Sequence, residues 1–223
     1  MHGVVEAQSD EGFRSILNSA DLNVPDGMPL TWLGRFAGFG EMDRVFGPEF
    51  MLRVCAASTE HGLSHFFYGG NQGVARDLAV RLSARFPLMK VAGVFCPPFR
   101  SLTSGEKSEI IEILNHSNAE FIWIGLSTPK QERWMGEFVT ELKARVAFGV
   151  GAAFDYNTGR LRRAPIFLQR AGLEWLFRML QEPRRLFGRY FRNIPLFVCL
   201  TVRQAFSSDR PATQHDLDSP RRK

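Results

Sequence analysis

The sequence predicts an α/β fold, a Rossmann-like three-layer sandwich with a mainly parallel sheet, followed by a C-terminal helical, arginine-rich appendage. From Leu63 onward, short runs that are apolar throughout alternate with segments of helical periodicity. Strands apolar on both faces need helices packed on both sides, and spacers of about ten or more residues are what parallel crossovers require. Beyond Gly159 the alternation stops, and helical segments rich in aromatics and arginine are broken by Pro165, Pro183 and Pro195.

Taken in order, residues 10–19 read as a helix and 20–24 as a short strand. Residues 47–60 read as a helix with apolar positions Phe50, Met51, Val54 and Cys55. Strands are predicted over 64–68, 89–95, 121–125 and 146–150, with helices near 72–86, 104–116 and 129–143. In 184–194 a helical wheel gathers Arg185, Arg189 and Arg192 on one side, opposite Phe187, Phe191 and Ile194, a pattern suited to an interfacial helix. The final stretch, 207–223, is polar, aperiodic and expected to be disordered. The expected organisation is an α/β domain over 1–160, the appendage over 161–206 and a tail over 207–223.

With 223 residues, 44% hydrophobic and 23% charged, the chain can build one sizeable core plus an accessory segment. The net charge of +5 is unevenly spread. Residues 1–159 carry 14 Lys+Arg against 18 Asp+Glu, whereas 160–206 carry 10 Arg, no Lys and only 2 Glu. Arginine's planar fork of donors suits phosphate oxygens, so phosphate is the partner to look for. Cys55, Cys96 and Cys199 form no CxxC pair and read as ordinary buried thiols of a reducing compartment. No leader pattern opens the chain and no run approaches the roughly 20 apolar residues of a membrane span, so a cytoplasmic location is expected.

In open parallel sheets ligands bind beyond the carboxyl ends of strands, which singles out four loops. Val24-Pro25-Asp26-Gly27 places a carboxylate at a turn, although Pro-Asp-Gly is also a plain turn signal. Gly69, Gly70 and Asn71 open a small-residue loop before a helix, where a phosphate could approach backbone amides; a tight turn needs the same residues. In Ser127-Thr128-Pro129-Lys130-Gln131-Glu132, Thr128 reads as N-cap, Pro129 as the first helical residue and Gln131 as the third, a capping box beside a lysine that could meet an anion. Gly149-Val150-Gly151 runs to Asp155, a candidate for ribose hydroxyls or a residue of a polar turn.

Together these blocks resemble a known family. The series Pro25-Asp26-Gly27-Met28, Phe67-Tyr68-Gly69-Gly70, Pro129-Lys130-Gln131-Glu132, Gly149 to Asp155, Arg163-Ala164-Pro165, Gly172-Leu173-Glu174-Trp175 and Glu182-Pro183-Arg184-Arg185 is similar to the WecG/TagA/CpsF glycosyltransferases. The resemblance implies inverting transfer of a sugar, commonly N-acetylmannosamine from a UDP donor, onto an undecaprenyl-diphosphate-linked sugar for cell-surface polysaccharide or teichoic acid. It implies Asp26 as general base, Gln131 as a polar group near the donor, and no metal or other cofactor. Gly69, Gly70, Asn71, Thr128, Lys130, Gly151 and Asp155 are then expected to bind the nucleotide sugar. Arg163, Arg178, Arg184, Arg185, Arg189 and Arg192 are expected at the acceptor diphosphate or the anionic inner membrane surface, giving a peripheral membrane protein.

Two departures stand out. The given residues begin within the family's first block, so the strand expected upstream with its Thr-x-Asn residues is not among them, through a misassigned start, trimming or loss, and Cys96-Pro97-Pro98-Phe99 replaces an aspartate- and tyrosine-containing loop of some relatives. The first motivates an alternative, a catalytically impaired member acting as a scaffold in polysaccharide assembly. A nucleic-acid partner is not expected, because the body is acidic and no binding motif accompanies the arginines. A nicotinamide-dependent oxidoreductase would need a GxGxxG loop, and none is present. A homo-oligomer is compatible with the sequence.

Overall fold

The computed structural model describes residues 1–206, so the tail reading for 207–223 lies outside the described residues. The chain opens with helices α1 (His2–Ser9), α2 (Glu11–Ser19) and α3 (Met28–Phe36), then α4 (Gly47–Glu60). Strands β1 (Ser64–Gly69), β2 (Lys90–Phe95), β3 (Phe121–Gly125) and β4 (Val146–Gly149) follow. They alternate with α5 (Val74–Arg85), α6 (Ser104–His116) and α7 (Lys130–Phe138). The last helices are α8 (Ala153–Asn157), α9 (Ile166–Arg170), α10 (Glu174–Gln181) and α11 (Pro183–Phe206). Two compact units result, one of residues 47–162 with 15–18, the other of 1–14, 19–46 and the segment from Arg163 onward.

The first unit is the predicted three-layer α/β sandwich. Its sheet has the order β2-β1-β3-β4, and every pairing is parallel. Alternate residues of each strand feed two cores. Phe67 and Trp123 pack with Met51, Cys55, Leu78 and Phe154 on the face of α4, α5 and α8. Phe66, Tyr68, Ile122 and Ile124 pack with Ile110, Leu114, Trp134 and Phe138 on the face of α6 and α7. The step outward from β1 to β2 uses one face and the steps back to β3 and on to β4 use the other, as a single crossover handedness requires. The chain therefore reverses direction at β1 and β3, the switch point where a crevice opens at the strand ends.

One buried polar relay ties this sheet to α4. The Trp123 indole N–H donates to His65 Nδ1 at 2.9 Å, so His65 Nε2 carries the proton and donates to Ser58 Oγ at 2.7 Å. Ser58 in turn donates to the Cys55 carbonyl at 2.8 Å. Burial lowers the His65 pKa to about 4, with Glu120 opposing. Because the folded value lies below the ordinary 6.5, the stability that neutral His65 contributes is complete above that pH and is lost as pH falls through 4. Urea unfolding should therefore show wild type losing roughly 3 kcal/mol relative to His65→Gln between pH 7 and pH 4. Parallel pH profiles for the two proteins would contradict the relay.

Several local expectations need correction. Residues 20–24 form no strand; they are exposed or at a bend and meet no ladder partner among the described residues. Residues 28–36, read only as the end of a loop, form α3, with Gly27 as N-cap and Pro29 in the first turn. Of the three thiols only Cys55 is buried, its pKa pushed up to about 12 by burial, while Cys96 is half-buried and Cys199 exposed.

In the second unit α11 packs against α1 and α10. Its buried positions are Leu186, Asn193 and Phe197. Phe187 and Phe191 point outward, 57% and 74% exposed, with rings stacked 5.9 Å apart. The aromatic side of this helix is therefore a surface rather than a core.

Candidate active site

At the switch point the ends of β1 and β3 are in direct contact. The Gly70 N–H donates to the Gly125 carbonyl at 2.9 Å. A Cβ on Gly69, whose φ is +114°, would lie 2.9 Å from the Gly125 carbonyl carbon and oxygen. Glycine is thus demanded at 69 by backbone packing and by a φ that L side chains rarely adopt. Gly70 follows with φ +74°, and its carbonyl accepts the Cys96 thiol at 3.3 Å, joining the end of β2 to the same loop. Burial raises the Cys96 pKa, which keeps that thiol a donor. Asn71 is exposed at the tip.

The β3 exit differs from the expected capping box. The Ser127 carbonyl accepts the amides of Lys130 at 2.8 Å and Gln131 at 3.2 Å, so Pro129 becomes the N-cap and no side chain caps α7. Thr128 instead donates to Glu132 Oε1 at 2.7 Å. Gln131 is buried and spans two elements: its Oε1 accepts the Gly151 N–H at 2.9 Å, and its Nε2 donates to Glu132 Oε1 at 3.1 Å. These bonds fix which end of the amide is which, and leave it one N–H to offer. The amides of Lys130, Gln131 and Arg133 are already bonded within the turn, at 2.8, 3.2 and 3.2 Å. Lys130 Nζ sits 5.3 Å from the centre of the Phe99 ring, in the loop that follows β2.

At the β4 exit Gly151 has φ +51°, and Asp155 lies half-buried in the first turn of α8. Gly69, Gly70, Thr128, Lys130, Gln131, Gly151 and Asp155 thus all stand on loops or helix starts at the C-terminal ends of the strands. The links among them run through Gly125, Glu132 and Phe154, whose ring would clash at 2.6 Å with any Cβ on Gly125.

Asp26 belongs to the other unit. Its side chain is exposed, while the backbone around it is anchored at three successive carbonyls. Pro25 accepts Val45 N–H at 2.9 Å, Asp26 accepts Arg44 Nε at 2.6 Å, and Gly27 accepts Leu30 and Thr31 N–H at 3.0 and 3.3 Å. Arg44 also pairs with Glu174 at 2.6 Å, both side chains being largely buried. Phe46 carries Arg44 at 4.8 Å and Arg163 at 4.7 Å from its ring centre. A single network therefore holds the Asp26 loop to the start of α10. Sequence reasoning missed Arg44 and Phe46 because an Arg-Val-Phe triplet in a loop has no periodicity or motif; Glu174 was visible only as part of a quoted block.

The remaining arginines divide by their partners. Arg178 is buried and pairs with Glu182 at 2.9 Å, and Arg185 pairs with the same carboxylate at 2.6 Å. Arg184 is exposed, Arg189 half-buried, and Arg192 lies 3.8 Å from Glu6. Among the described residues no group of three or more His, Cys, Asp or Glu could hold a metal ion.

A parallel sheet with glycine loops at its switch point defines the Rossmann-like α/β class, in which ligands bind at the carboxyl ends of the strands. The chain belongs to the glycosyl transferase WecG/TagA/CpsF family, whose sequence model matches residues 1–211. It is a glycosyltransferase of cell-envelope polymer synthesis. Among its relatives is the N-acetylglucosaminyldiphosphoundecaprenol N-acetyl-beta-D-mannosaminyltransferase of Bacillus spizizenii strain W23, 26% identical over 206 residues, 92% of this chain and 77% of the relative. The protein of the same name from Bacillus subtilis strain 168 is 22% identical over 198 residues, 89% of this chain and 75% of that one.

Proposed function

We propose that the protein transfers N-acetylmannosamine or a related sugar from a UDP donor to an undecaprenyl-diphosphate-linked sugar, with inversion and without a metal ion. The family match over nearly the whole chain, to relatives named for that transfer, carries the reading. Asp26 takes the proton of the acceptor hydroxyl, the freed oxygen attacks the anomeric carbon, and the bond to UDP breaks with its electron pair leaving on the diphosphate. Lys130 and arginines of the C-terminal segment meet the charge that develops there. Gln131 positions the β4 loop through Gly151, and Gly69, Gly70, Asn71, Thr128 and Asp155 complete the donor side.

The enzyme works at the inner face of the membrane as a peripheral protein, with residues 161–206 as its contact. No helix of the described residues is long and apolar enough to cross a membrane. Ile166, Phe167, Leu180, Phe187, Phe191 and Val202 are exposed on α9, α10 and α11, within the arginine-rich segment. Apolar side chains beside arginine are what an interfacial helix offers to anionic lipid. Phe187→Ser and Phe191→Ser should each weaken binding to phosphatidylglycerol vesicles by roughly tenfold or more. Unchanged co-sedimentation would remove the membrane role.

The transfer is tested by following UDP release from a panel of UDP-sugars with a short-chain prenyl-diphosphate sugar as acceptor, with and without chelator. The expected result is acceptor-dependent release that chelator leaves unchanged. Abolition by chelator, or release independent of acceptor, would contradict the proposal.

A further inference from the structure

We propose that Glu132 is a positioning residue of the donor site: it sets Thr128 to meet the nucleotide sugar as a hydrogen-bond acceptor, at a hydroxyl or N–H of that ligand rather than at its phosphates. This rests on the transferase reading above and adds a residue outside the expected site set.

Glu132 stands half-buried in the first turn of α7, the helix that follows β3. Its Oε1 accepts the Thr128 hydroxyl at 2.7 Å and an N–H of Gln131 Nε2 at 3.1 Å. Its Oε2 is closed off from solvent without a hydrogen-bond partner, and no cation pairs with the carboxylate among the described residues. An acid so placed loses hydration and does not regain a full set of bonds, which works against folding. Stability therefore gives no reason for a carboxylate here. The two bonds that it does accept both come from side chains at the strand-end site.

Those bonds set the polarity of both partners. The Gln131 amide is held at its two ends, with Oε1 on the Gly151 N–H at 2.9 Å and Nε2 on Glu132. Turned over, it would set N–H against N–H and carbonyl against carboxylate. Packing confines it as well, since a Cβ on Gly149 would lie 3.3 Å from Nε2. The half-buried Thr128 has one hydroxyl proton and two lone pairs. With the proton directed at Glu132, it keeps only lone pairs for a ligand. The oxygens of a nucleotide diphosphate accept hydrogen bonds and find no donor there. Ribose and sugar hydroxyls, an acetamido N–H and the uracil N–H are donors, and these are the groups that Thr128 suits. Glu132 acts through Thr128 and Gln131 and needs no contact with the ligand itself.

The test is titration calorimetry of the full chain with UDP-N-acetylmannosamine, well below the thermal midpoint, for wild type, Glu132→Leu, Glu132→Gln, Thr128→Val and the double variant Glu132→Leu/Thr128→Val. Wild type should bind, and Glu132→Leu and Thr128→Val should each bind roughly tenfold more weakly. The double variant should be little weaker than either single one, because both remove the same arrangement. Glu132→Gln should return to within about threefold of wild type, since its amide oxygen takes the place of Oε1. In transfer assays the loss should fall on the donor KM and leave the acceptor KM unchanged, a split that a loosened fold would not produce. Equal binding by wild type and Glu132→Leu, additive losses in the double variant, or Glu132→Gln as weak as Glu132→Leu would overturn the positioning role.

Uridine and UDP, titrated into wild type and Thr128→Val, locate the group that Thr128 meets. A loss shared by uridine, UDP and the UDP-sugar places it in the nucleoside, and a loss confined to the UDP-sugar places it in the sugar. A loss with UDP but not with uridine places Thr128 at phosphate and overturns its acceptor role. Nucleotide-sugar binding that Glu132→Leu weakens, combined with no transfer by wild type, would keep the positioning role and sink the transferase reading. Transfer by wild type with an unchanged donor KM in Glu132→Leu would sink the positioning role alone, and no binding by wild type would overturn both.

Discussion

Asp26→Ala is expected to lower kcat for sugar transfer by about 10²–10⁴-fold, with KM for the donor little changed and the fold intact. The magnitude is that of removing a positioned general base, and the separation from stability follows from the anchoring of its loop. The Pro25, Asp26 and Gly27 carbonyls accept Val45 N–H, Arg44 Nε and the Leu30 and Thr31 N–H groups, and those backbone acceptors remain in the variant. Asp26→Asn should be equally inactive, because an amide keeps the shape but takes up no proton. A kcat within a few-fold of wild type for both variants would place the base elsewhere.

Arg44→Met should have the largest effect on stability. It leaves Glu174 largely buried without its 2.6 Å partner, a situation that typically costs about 3–5 kcal/mol. Adding Glu174→Gln removes the stranded charge and should recover most of that loss, so a double-mutant cycle in urea will show strong coupling. Activity should behave differently. The double variant still lacks the Arg44 bond to the Asp26 carbonyl, so kcat should stay low although stability returns. Recovery of both together would make Arg44 a purely structural residue, and additive stability effects would mean that the pair does not interact.

The α/β unit was largely legible in the sequence because its strands are apolar on both faces. Phe66, Phe67, Tyr68 and Ile122, Trp123, Ile124 each fill two cores at once, and that leaves a continuous apolar run. The glycines at 69, 70 and 151 marked the strand exits for the same reason that the structure needs them, close backbone approach or positive φ. The rest of the fold had weaker signals. Neither α1 nor α3 carries a side-chain cap, and α3 contains Gly34, which packs on Met42. Residues 20–24 have strand-like composition, but a strand exists only where a ladder partner does.

The site residues divide along the same line. Lys130 and Gln131 were visible from their block, yet their hydrogen bonds were not. The Ser127 carbonyl outcompetes Thr128 for the first amides of α7, and Gln131 is drawn across to Gly151, a partner twenty positions away. The Arg44–Glu174 pair spans still more of the chain, and no spacing rule reaches so far.

The most direct measurement is mass spectrometry of the lipid after incubation of the chain with UDP-N-acetylmannosamine and a prenyl-diphosphate-linked N-acetylglucosamine. The expected result is an acceptor heavier by one N-acetylhexosamine, formed with stoichiometric UDP and absent with Asp26→Ala. UDP released without a heavier lipid, or an unchanged lipid with every UDP-sugar tried, would contradict lipid-linked sugar transfer by this protein.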